Sequence, residues 1–193
     1  MKFSLKTIAC LSAVAITTVA ASTYAAEPKA STLLYISPNE YSHSLLLLTP
    51  YSDGYWFEQG PLVEPIAFEA LKAKDSNLAM CNGSETADTI IRVKPYLFYN
   101  PWPAIYYSRL VATVYSAGGE ALGVYIGEAQ QSGPGPAILE MTAESDISKA
   151  YALAMQDLMT KLQIKPMSER KKVETILPCG IIGSQLESRY NFY

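Results

Sequence analysis

The sequence predicts an α+β domain: an antiparallel sheet of four to five strands with two amphipathic helices on one face, a two-layer sandwich. Three observations predict it. Between Asp88 and Gln130, apolar residues recur at every second position through three runs, as in strands with one buried face. On either side of that block, near Pro61–Lys74 and Ser145–Leu162, they recur at the three- and four-residue spacing of a helix. Tyrosine, with 14 of 193 residues, is used as half-buried strands use it rather than as helical bundles do.

The chain opens with Lys2 and Lys6, an apolar or small run from Ile8 to Ala21, and the small cluster Thr23-Tyr24-Ala25-Ala26. About 14 apolar residues are too few for a membrane anchor and suit a secretory signal peptide over residues 1–25, cut after Ala25 or one residue later. Cys10 precedes most of the apolar run, which is the wrong side for a lipid-attachment cysteine. The expected location is therefore the periplasm or beyond, and no transmembrane segment is expected in the mature chain. Residues 26–165 then read as a single α+β domain and residues 166–193 as a C-terminal tail.

Thr32–Ile36 is strand-like and ends at Ser37-Pro38-Asn39. Ser44–Thr49, with four leucines, is bounded by Pro50 and the turn signal Ser52-Asp53-Gly54, and Tyr55-Trp56-Phe57 reads as the returning arm. The first helix begins near Pro61 or Pro65, with Leu62, Ile66, Ala70 and Val63, Ala67, Leu71 as its stripe. In the next strand Ile91, Val93 and Leu97 point one way, and Arg92, Lys94, Tyr96 and Phe98 the other. Ile105–Ser116 sets Leu110, Ala112 and Val114 against Tyr107, Arg109, Thr113 and Tyr115. Ala117-Gly118-Gly119-Glu120 is a tight turn, and the return strand groups Leu122, Val124 and Ile126 opposite Tyr125. The helices are expected on the Ile91, Leu110, Val114, Val124 side. A second helix from Ser145 or Asp146 to Leu162 carries Ile147, Ala150, Tyr151, Ala154 and Leu158.

After cleavage two cysteines remain, Cys81 and Cys179, and an even pair in an exported protein reads as a disulfide tying the tail to the domain. Removing Lys2 and Lys6 leaves 13 basic and 18 acidic residues, a net charge of −5. That balance argues against a nucleic-acid partner. No nucleophile elbow or phosphate-binding glycine loop is present. His43 is the sole histidine, with Glu40 three residues earlier, and no metal or cofactor set forms around it.

The dipeptide opening Ala87-Asp88-Thr89-Ile90-Ile91, the turn at Gly118-Gly119 and the helix Ile147…Ala150…Ala154…Leu158 occur in an order that resembles a group of bacterial envelope proteins. These are the ABC-transport auxiliary lipoproteins and related uncharacterised outer-membrane lipoproteins, and the likeness covers about residues 60–162. It implies a non-enzymatic envelope role through protein or lipid contacts. The missing lipid-attachment cysteine and the cysteine-bearing tail depart from that pattern.

The alternation itself places Tyr96, Phe98, Tyr107, Tyr115 and Tyr125 on one sheet face with Arg109 among them, a candidate contact surface if the tail leaves it open. The expected function is an exported, non-enzymatic accessory or binding protein of the cell envelope, with an envelope protein or lipid component as partner. Two other classes are a small secreted hydrolase using His43, and a secreted inhibitor presenting the Tyr51–Phe57 loop.

Overall fold

The computed structural model describes residues 30–49, 52–133, 140–163 and 176–183. The signal-peptide assignment and most of the C-terminal tail lie outside the described residues. The chain runs β1 (Thr32–Tyr35), α1 (Asn39–Ser42), β2 (Ser44–Thr49), β3 (Ser52–Glu58), α2 (Gln59–Lys72), β4 (Leu78–Met80), β5 (Thr89–Asn100), β6 (Ile105–Ser116), β7 (Ala121–Ser132) and α3 (Glu140–Lys161). Five strands form one sheet in the order β4-β1-β5-β6-β7, and β2 and β3 form a separate two-stranded sheet. Among the described residues no helix is long and apolar enough to cross a membrane.

The architecture is mixed α+β, with one correction: the sheet is not wholly antiparallel. β5, β6 and β7 form an antiparallel meander, but β1 lies parallel to both β4 and β5. The connection from β1 to β4 passes through α2, and a crossover of that kind returns the chain in its starting direction. Alternation within four residues carries no information about direction, so only the partners decide it.

Both helices pack on the same face of the sheet. Val63, Ala67 and Leu71 of α2 and Ile147, Ala150, Tyr151, Ala154 and Leu158 of α3 share one buried cluster with Ile91, Val93, Leu110, Ala112 and Val114. α2 starts at Gln59, before both prolines; Pro61 falls in the first turn and Pro65 inside the helix. Pro65 removes one backbone donor, a loss the helix absorbs close to its start. α3 starts at Glu140, before the expected Ser145.

A second correction concerns β7. Cross-strand partners share a face, and the register pairs Leu110 with Gly127, Ala112 with Tyr125 and Val114 with Gly123. The helix side of β7 is therefore Gly123, Tyr125 and Gly127, and Val124 faces outward at 59% exposure. A Cβ on Gly127 would lie 2.1 Å from the Ala154 carbonyl oxygen and 2.6 Å from Leu158 Cβ. α3 approaches so closely there that glycine, not the branched residues, marks the buried face. Ser108 reinforces the seam, its Oγ donating to the Ala150 carbonyl at 2.7 Å.

The opposite face has its own smaller core on the β1 side: Leu33, Tyr35, Ile90 and Tyr115 pack with Cys179 and Ile182. The segment 176–183, with a helical turn over 179–183, lies across it. Leu177 N–H donates to Ala117 O, Cys179 N–H to Glu85 O and Gly180 N–H to Gly83 O. The molecule is thus three layers deep at β1 and two at β7.

Candidate functional site

Among the described residues, nothing packs over the outer sheet face beyond segment 176–183. Phe98 and Tyr107 are register partners, their ring centroids 6.0 Å apart. One pair further along the strands, Tyr96 faces Arg109. Lys94 Nζ sits 5.2 Å from the Tyr96 ring centroid, and Arg109 Nε lies 3.4 Å from Glu128 Oε1 on β7. Both ends of that ion pair are exposed, so it contributes little to stability and orders the surface instead. Tyr96, Phe98, Tyr107, Arg109, Glu128 and Gln130 line a groove of about 810 Å³. Aromatic walls with a charged and amide rim are the composition of protein contact surfaces.

The structure brings together four of the six predicted surface residues: Tyr96, Phe98, Tyr107 and Arg109. The other two are corrected. Tyr115 points to the same side but is buried under segment 176–183. Tyr125 belongs to the helix face, for the register reason given above, and its hydroxyl donates to the Gln163 carbonyl at 3.1 Å. Glu128 and Gln130 were missed. An opposite-charge partner for Arg109 on the neighbouring strand was the available signal.

Cys81 and Cys179 are joined in a disulfide, with a Cα–Cα distance of 6.0 Å. Glu85 stands beside it, its carboxyl held below the ordinary range by backbone N–H groups, its own and that of Asn82 first. Cys81, Glu85 and Cys179 bring ligand atoms within 4.8 Å of one another. Both sulfurs are consumed in the disulfide, so a cation would find one carboxylate there.

His43 lies exposed just after α1, its backbone N–H donating to Asn39 O at 2.8 Å. Its neighbour Glu40 belongs to a polar relay that the sequence did not announce. Tyr151 OH donates to Gln59 Oε1 at 2.6 Å, and Gln59 Nε2 donates to Glu40 Oε2 at 2.9 Å. Burial raises the Glu40 carboxyl above its ordinary value, against Lys94, the Gln59 hydrogen bond, Arg92 and His43, which all lower it. Burial likewise drives the Tyr151 phenol upward, helped by Glu40. The relay locks α1 and α2 to α3. The stretch expected as an inhibitor loop is for the most part strand β3, and Tyr51 lies outside the described residues.

A second cavity of about 580 Å³ opens at the carboxyl ends of β1 and β4, among Tyr35, Tyr41, Glu64, Met80 and Asn82. Tyr41 OH donates to Glu64 there.

No family model matches the chain, and no curated protein matches it. Among solved structures it is similar to protein XCC0632 from Xanthomonas campestris, of the family model DUF330. The two share 9% identity over 84% of this chain and 90% of that one, with a TM-score of 0.42. A likeness at that level assigns no function.

Proposed function

We propose that this chain is an exported, non-enzymatic accessory protein of the cell envelope, which works by holding an envelope protein against the outer face of its sheet. The observation that carries the reading is the groove between Phe98, Tyr107 and Arg109. The rest of the fold keeps its polar chemistry for structure: the Tyr151–Gln59–Glu40 relay ties helices together, and the disulfide holds a strap over the second core. A rigid sheet that displays aromatic side chains loses little conformational entropy when a partner covers it. The disulfide fits an exported location.

The test is position-specific photocrosslinking in the exporting cell. A benzophenone amino acid replaces Phe98 or Tyr107, and Lys72 on the helix layer serves as control. One envelope protein should crosslink from both groove positions and not from the control. It should be lost when Arg109→Gln and Tyr96→Ser are added. Equal labelling from all three positions, or none from the groove, sinks the reading.

A further inference from the structure

The cavity at the carboxyl ends of β1 and β4 plays no part in the groove reading, and close backbone approaches build its walls. Gly60, in the first turn of α2, carries the Tyr41 ring: an added Cβ would lie 2.7 Å from Tyr41 Cγ and 2.8 Å from Cδ1. Gly183 does the same for Tyr35, because an added Cβ would run into its ring. Segment 176–183 closes the remaining side. Gly180 N–H donates to Gly83 O at 3.0 Å, and the Cys81–Cys179 disulfide anchors both stretches. Such walls stand in place before a ligand arrives, so little order is left to impose on binding. β1 and β4 run parallel, and open α/β sheets hold ligands outside the carboxyl ends of such strands. A volume of about 580 Å³ is that of a small-molecule site.

The charge around the cavity is of one sign. Glu64 lines it, and no Lys, Arg or His does so among the described residues. The Tyr41 hydroxyl is the hydrogen-bond partner of Glu64 among the described residues. A carboxylate offers about four lone-pair sites, so most of its capacity faces no protein donor. Burial first, and then the hydrogen bond to Glu64, raise the Tyr41 phenol above its ordinary value, so the hydroxyl keeps its proton. Glu85 stands beside the disulfide, its Oε2 3.8 Å from Cys179 Sγ, and adds negative charge on that side. Arg92, the register partner of Tyr35, is outside the lining, and its charge acts on Glu40.

The rest of the lining includes the Tyr35 and Tyr41 rings, the Met80 thioether, Ile36 and Pro38. A hydrated metal ion would find a single carboxylate there, too few oxygen ligands to hold it. A cation that carries its own methyl groups suits both parts of the site. The rings and thioether take the methyl groups, and Glu64 takes the charge.

We propose that this cavity binds a small organic ammonium ion, methylated at nitrogen, between Tyr35, Tyr41 and Glu64. Negative charge at Glu64 and Glu85 disfavours a phosphate ester, so the ligand is a free ammonium compound and not a phospholipid headgroup. The site shares no residue with the groove and stands or falls apart from it.

Choline is the probe, titrated into the disulfide-intact protein while backbone amide signals are followed by NMR. The amides of Asn82, Gly83 and Gly180 should shift together and saturate, and that of Gly127, in the helix–sheet seam, should not. The neutral isostere, in which a tert-butyl group replaces the trimethylammonium, should bind about tenfold more weakly. Phosphocholine should also bind more weakly than choline. Glu64→Gln should weaken choline binding about tenfold and Tyr41→Leu about as much, while Tyr41→Phe, which keeps the ring, should change it less than about threefold. The isostere and phosphocholine comparisons use the parent protein, so they need no variant to fold. Absence of a saturable shift at the three amides, equal affinity for choline and the isostere, or tighter binding of phosphocholine overturns the proposal. So does choline binding that Glu64→Gln leaves unchanged.

Discussion

At Gly127 an added methyl group would lie 2.1 Å from the Ala154 carbonyl oxygen, so alanine there must push α3 away from β7. Overpacking of this kind costs about 1–3 kcal/mol. Gly127→Ala should therefore lower the urea midpoint with little change in slope, whereas Gly83→Ala, where a Cβ meets open space, tests only the strain of its φ of +120°. Equal stability of Gly127→Ala and the parent would mean that the helix–sheet seam is looser than described. The same residue shows how far side-chain alternation can be trusted. Along β5 and β6 the buried face was legible because Ile91, Val93, Leu110, Ala112 and Val114 are the apolar set and do face the helix layer. Along β7 the phase was misread because the positions that face the helix are small or hydroxylated. Leu122, Val124 and Ile126 are apolar for some purpose other than that core.

The elements themselves were mostly legible, since α2 and α3 carry long stripes and the β6–β7 hairpin has its Gly119 at a φ of +83°. What pattern could not give was partnership: the parallel setting of β1, the separation of β2–β3 into its own sheet, and the treatment of the sheet edge. β7 is an edge strand, and α3 guards it. Glu128 N–H donates to Asp157 Oδ2 at 2.9 Å, and Lys161 Nζ donates to Ile126 O at 3.0 Å while pairing with Asp157 at 2.6 Å. These side chains occupy backbone groups that would otherwise recruit a strand from another molecule. Asp157→Ala with Lys161→Ala should leave the monomer folded but make it associate with rising concentration, read by light scattering. A variant that stays monomeric at every concentration would show that the edge needs no guard. The Lys161 hydrogen bond, then the Glu128 N–H, lowers the Asp157 carboxyl below its ordinary 3.8. Its contribution is therefore fully present above that value and is lost as pH falls through the lower folded value. The guard should hold at neutral pH and fail in acid.

For the molecule as a whole, the pairing of Cys81 with Cys179 was legible from two cysteines and the expectation of export, but what the bridge does was not. It pins segment 176–183 over Leu33, Tyr35, Ile90 and Tyr115, and so decides how much of the outer face is a core and how much a surface. Cys81→Ser with Cys179→Ser should cost about 2–5 kcal/mol of stability. It should also raise the binding of a hydrophobic dye as the smaller core opens. Loss of stability without added dye binding would mean that the strap stays down unaided. In that structure β1 sits between β4 and β5, bonded to both, with all four of its residues buried. Among the described strands β1 is thus the one that waits longest for its neighbours, because Arg92, which pairs with Tyr35, is made about 60 residues later. At ribosomal speeds of about 5–20 residues per second, Leu33, Leu34 and Tyr35 stay bare for roughly 3–12 seconds. On the export route proposed above that delay is an asset: β1 cannot take its place until β5 exists, so the sheet stays unclosed until about half of the chain has been made.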